Sequence, residues 1–188
     1  MSDETLQDLT VITEPSMTAG EVEVLLFALE RSRAQLAWKA GGLDAAGLRL
    51  RLTDSSTSLA GLLKHLALVE DFKVTQWLGG TMGGPWRQSD FDADPDWEWH
   101  TAAEDTPQDL YALWRGAVER SRVAWAEALA ADGGLDRPAD FAIETGQSPN
   151  LRRGLVDLHD EYARHVGHAD LLREAVDGLV GEDPPQPA

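Results

Sequence analysis

The sequence predicts an all-α protein, a four-helix bundle with long inter-helix loops. Three observations carry this. Four segments of about 20 to 28 residues repeat apolar side chains at helical spacing. Each begins or ends on capping or glycine signals. Strand-like alternation is scarce, and no repeat of fixed period occurs.

The elements follow in order. Residues 1–17 read as an N-terminal arm, polar and acidic apart from the short apolar run Leu9 to Ile12. Thr18-Ala19-Gly20-Glu21 has capping-box spacing and opens a first helix through Leu25, Leu29, Leu36 and Trp38, ended by Gly41-Gly42. A loop containing Asp54-Ser55-Ser56-Thr57 precedes a second helix from about Ser58 to Leu78, with Leu62, His65, Val69 and Phe72 on one side and Gly79-Gly80 at its end. Residues 79–105 are rich in Gly, Pro, Asp and Trp and show no sustained period. An excursion of this length is more often functional or interface-forming than idle. Thr106-Pro107 starts a third helix through Leu110, Leu113, Trp114, Val118, Trp125 and Leu129, and Asp132-Gly133-Gly134 stops it. After a second irregular stretch, Ser148-Pro149-Asn150 leads into a fourth helix that runs to about Asp177, with Gly178 as its stop. The bundle thus occupies residues 18–180, and the proline-rich tail, residues 181–188, is expected to be disordered.

Composition limits the function. The chain has 188 residues, without an obvious composition break, so one domain is expected. Cysteine is absent, so any thiol chemistry must use a thiol brought by the substrate. The 33 acidic residues against 16 basic ones give a formal charge of −17, which would repel phosphate backbones, and nucleic acid is not an expected partner. No apolar run suits a membrane span and no leader pattern is visible, so a cytoplasmic protein without membrane contact is expected.

The most informative residues are Glu161 and His165 in Glu161-Tyr162-Ala163-Arg164-His165, read with His65 in Leu62-Leu63-Lys64-His65-Leu66. At 3.6 residues per turn Glu161 lies about 40° from His165 on the wheel, whereas His159 lies about 120° away, outside the inward arc. The six-residue spacing of His159 and His165 also excludes a zinc-protease helix, which needs four. His168 lies about 60° from His165, on the flank nearer Glu161, and is open to several roles: a supporting group, an alternative ligand, or a residue at the mouth. Two ligands from the fourth helix and one from the second would leave a coordination position open for water or substrate. A His2Glu set suits zinc, and nickel, iron or cobalt are compatible with the same mixed donors.

Ser55-Ser56-Thr57-Ser58-Leu59 leading to His65, the Asp96-Trp97-Glu98-Trp99 loop, and the run from Asp160 to Glu174 resemble the DinB-like superfamily, more narrowly a branch common in actinobacteria. The likeness spans about residues 18 to 180. It implies a four-helix bundle, often a homodimer, with a metal ion held by His65, Glu161 and His165. Many members carry His-x-x-x-His where this chain has Glu161 first, but the mycothiol-dependent maleylpyruvate isomerase is similar in using a His, Glu, His set. Relatives of that kind use low-molecular-weight thiols such as mycothiol or bacillithiol as co-substrates.

Each residue also has a plainer reading. His65 alone could be a satisfied core histidine, and Glu161 with His165 a helix-surface pair. Arg164, Arg173 and Asp170 could bind an anion or could be solvated or intersubunit charges. Trp97 and Trp99, around Glu98 and followed by His100, could line a pocket mouth or form a lid or dimer contact. Asp160, His168 and Glu98 are candidate general bases, and no catalytic residue is assigned among them. Two functions compete: a metal-dependent transferase or isomerase that activates an exogenous thiol toward an electrophilic small molecule, and a non-catalytic bundle that binds metal or a small ligand. A purely structural interaction protein is the third possibility.

Overall fold

The computed structural model describes residues 6–186, and among these the only regular structure is helical. Four long helices form the bundle: α1 (Glu21–Ala40), α3 (Leu59–Leu78), α5 (Pro107–Ala130) and α6 (Leu151–Asp177). Two short ones lie between them, α2 (Ala45–Arg49) and α4 (Trp97–Thr101), both in segments whose sequence predicted loops. Each is a single turn and a half, too short to display a helical period.

The helix starts follow their capping residues. Ser58 accepts from the Gly61 amide at 3.1 Å, Thr106 from Asp109 at 3.2 Å, and Asn150 from Arg153 at 3.1 Å, each bond satisfying an otherwise orphaned amide. α1 departs from expectation. Its N-cap is Gly20, which has no side chain to offer, so the capping-box reading of Thr18 to Glu21 fails there. At the other end of α1 the last carbonyls are held by a distant residue: Arg173 donates to Trp38, Lys39 and Gly41. α3 and α6 end on Gly79 and Gly178 with φ of 69° and 80°, a left-handed conformation that costs glycine little.

Packing brings α3 against α5 and α6, and α1 against α6. Trp77 faces Gly154, Lys73 faces Asp157 and His65 faces Glu161, so α3 and α6 run antiparallel. Four polar residues, one from each long helix, fix their registers inside the core. Arg33 on α1 makes a two-pronged pair with Glu70 on α3, at 2.8 and 2.7 Å. The Tyr162 hydroxyl on α6 donates to Glu70 at 2.7 Å, and the Trp114 indole on α5 donates to that hydroxyl at 2.9 Å. Burial and the Glu70 carboxylate push the Tyr162 phenol well above its usual pKa, so it stays a donor. A slip of any one helix would strand a buried charge, so the network specifies one alignment beyond what greasy contacts require.

Described residues near both ends pack onto the bundle. Within the arm, Leu6–Leu9 forms a 3₁₀ turn with Leu6 buried, and Asp8 pairs with Arg115 at 2.8 Å. Residues 182–186, part of the tail expected to be disordered, lie against α1: Asp183 pairs with Arg31 and accepts from Gln35, and Gln186 donates to Thr10. Residues 1–5, 187 and 188 lie outside the described residues. No described helix is long and apolar enough to cross a membrane.

Candidate functional site

The residues singled out in the sequence meet between α3 and α6. One ligating atom from each of His65, Glu161 and His165 can be chosen so that all lie within 4.8 Å of one another. Both imidazole Nε2 atoms face the same Glu161 oxygen, Oε2, at 3.9 Å from His65 and 3.5 Å from His165. Glu161 is one turn from His165 on α6, as the spacing required, and its side chain is 35% exposed, the most open of the three.

The histidines are held from behind. Glu98 on α4 is buried, and its Oε1 lies 3.0 Å from His65 Nδ1. The network therefore assigns the proton to Nδ1, donated to the carboxylate, which turns the Nε2 lone pair toward Glu161. Trp99, also on α4, stacks on the His65 ring at 4.7 Å between centroids. Gly61 makes this approach possible, because a Cβ there would come within 2.5 Å of the Trp99 ring. On the other side His165 Nδ1 lies 3.3 Å from His168 Nδ1, one of the two donating to the other. Burial first, then the neighbouring His65, His168 and Arg164, lower the pKa of His165 to about 4, so it is neutral at physiological pH.

Other expectations sort themselves by position. His168 is exposed and touches His165, while His159 is not part of the group. Asp160 forms an exposed pair with Arg164 and is not part of the group. Arg173 is spent on the α1 carbonyls and Asp177, and Asp170 pairs with buried Lys39 at 3.0 Å, so both make intrachain clamps, Asp170 from a partly exposed position. His100 pairs with Asp94 outside the site. Of the two loop tryptophans only Trp99 reaches the histidines; Trp97 packs edge-on to Trp86 and Phe91. The sequence left Glu98 as one of three possible bases. Its contact with His65 depends on how α4 folds back, and the only local signal was a lone carboxylate between two tryptophans.

The donor set and its supports can be compared with known proteins. The family model described as Mycothiol-S-transferase matches residues 24–178, most of the chain and all three residues of the group. The chain belongs to the mycothiol-S-transferase family. The DinB-like resemblance of its two helical motifs agrees with that membership. Among solved structures, this mycothiol-S-transferase family member is similar to a conserved protein from Enterococcus faecalis at 14% identity. The match covers 86% of this chain and all of that one, with a TM-score of 0.59, a likeness of fold. No curated protein matches the sequence significantly.

Two imidazoles and one carboxylate, with one imidazole held neutral by burial and the other oriented by a buried carboxylate, fit a divalent first-row ion in chemistry and in support.

Proposed function

We propose that this chain is a metal-dependent transferase that joins the sulfur of mycothiol, or a closely related low-molecular-weight thiol, to an electrophilic small molecule. The observation that carries this is the convergence of His65, Glu161 and His165 in a chain of the mycothiol-S-transferase family. These three residues would hold the ion, with zinc the best match to the donors and nickel or iron compatible. A divalent ion there would supply the Lewis acidity that makes a bound thiol a thiolate near neutral pH.

The chain's own residues prepare that chemistry. Glu98 keeps the Nε2 of His65 free to bind by holding the proton on Nδ1. The depressed pKa of His165 keeps protons from competing for its lone pair above about pH 4. Trp99 covers one face of His65, and Glu161, 35% exposed, is the most open of the three candidate ligands. In the transfer itself a sulfur–carbon bond forms and the electrophile releases its leaving group, or takes up a proton where it is an activated double bond.

Elemental analysis of untagged, chelator-free protein tests the site, alongside His65→Ala and Glu161→Ala. Near-stoichiometric metal that disappears in both variants, with mycothiol consumed against an electrophile only by the wild type, is the expected result. Metal binding without thiol turnover across a panel of electrophiles would favour the non-catalytic bundle. Failure to bind zinc or nickel after equilibration would remove the metal reading altogether.

A further inference from the structure

Beside the histidine site runs a cleft of about 520 Å³ that no motif in the sequence announced. One wall is α3, where Leu68, Val69 and Phe72 follow His65; Val69 and Phe72 lie about one and two turns further along. The other wall is the segment before α4, with Met82, Trp86 and Phe91. The Trp86 indole N–H is already satisfied by Asp71 at 2.8 Å, so the Trp86 side chain has no free donor to offer. Glu98 lines the cleft as well, and it is the same residue that orients His65. Glu98 is therefore the point of contact between the cleft and the candidate site, on the Nδ1 edge of His65.

We infer that this cleft is the electrophile subsite, and that it selects neutral electrophiles carried on an aromatic or branched-alkyl body. The inference rests on the thiol-transfer reading above. The volume falls within the range of small-molecule sites. Apolar walls stabilise an apolar body by removing its surface from water, and Phe72, 45% exposed, is an unspent apolar surface at the edge. Charge sets the second half of the selectivity. The residues lining the cleft include no lysine or arginine, and their one ionisable member is the Glu98 carboxylate. An anionic electrophile would enter unpaired beside that carboxylate in a chain of formal charge −17. The larger cavity of about 720 Å³ by Trp77 and Phe141 is a poorer candidate, since Trp77 lies about 18 Å along α3 from His65 and Arg153 lines it.

Fluorescence titration of the full-length protein with N-phenyl-1-naphthylamine, a neutral apolar probe, and with 8-anilino-1-naphthalenesulfonate, its anionic analogue, tests the cleft without thiol or metal. The expected result is saturable binding of the neutral probe, weaker binding of the sulfonate, and a loss of at least about tenfold in affinity in Phe72→Asp. Val123→Asp, which alters a still more exposed apolar residue on α5, should leave binding unchanged. Absence of saturable binding, preference for the sulfonate, or equal weakening by both variants would overturn the proposal. So would sedimentation showing that Phe72→Asp dissociates a dimer, since the cleft edge would then be a subunit contact. Phe72-dependent probe binding without any thiol transfer would leave the cleft standing and remove the transferase reading. Transfer to anionic electrophiles with no probe binding would do the reverse.

Discussion

Glu98 Oε1 lies 3.0 Å from His65 Nδ1, across a contact that joins the short helix α4 to the middle of α3. Without the carboxylate the His65 ring loses both its orientation and the partner that fixes its tautomer. Glu98→Ala should weaken zinc binding by about 10- to 100-fold, the usual effect of removing such a partner. Glu98→Gln, whose amide oxygen can still accept from Nδ1–H, should recover most of it. Competition against a chromophoric chelator measures both, and equal affinities in Glu98→Ala and the wild type would remove Glu98 from this role.

Gly61 is the steric counterpart of that contact. A methyl group at this position meets Trp99 at 2.5 Å, so either Trp99 leaves the His65 ring or α4 shifts. Gly61→Ala should cost about 1–3 kcal/mol in urea unfolding and should weaken zinc binding as well. Unchanged stability together with unchanged zinc affinity would show that α4 yields freely.

The buried network among the four long helices makes a prediction about folding alone. Glu70→Ala leaves the Arg33 guanidinium buried without its main partner, a loss of about 3–5 kcal/mol. Tyr162→Phe removes one hydrogen bond to Glu70 and the acceptor of Trp114, and should cost less, about 1–3 kcal/mol. Chemical denaturation of the metal-free variants separates the two.

Proton linkage at His165 has a defined sign. Its folded pKa, about 4, lies below the ordinary histidine value near 6.5, so between these two pH values the unfolded chain binds a proton that the folded chain does not. His165 therefore favours the folded metal-free protein less and less as pH falls through that window. Stability measured from pH 7 to pH 4 should drop in the wild type, and His165→Gln should remove about one proton from the uptake on unfolding. An identical pH slope in both proteins would show that His165 is not the group responsible.

Much of the fold was legible locally. Ser58, Thr106 and Asn150 marked three of the four long helix starts because a capping side chain acts on amides two or three residues away, and Gly79 and Gly178 marked two ends by a conformation other residues avoid. Helical spacing likewise put Glu161 beside His165, since one turn is a property of the chain itself. The α1 start was misread because nothing in Thr18 to Glu21 distinguishes a used capping box from an unused one, and α2 and α4 were missed because one and a half turns carry no period. The meeting of His65 with that pair, the Glu98 and Trp99 supports, the Arg33–Glu70–Tyr162 network and the apolar cleft all join residues far apart in sequence. Only tertiary structure decides such contacts, because they depend on the rotation and register of packed helices and not on the preferences of any one segment.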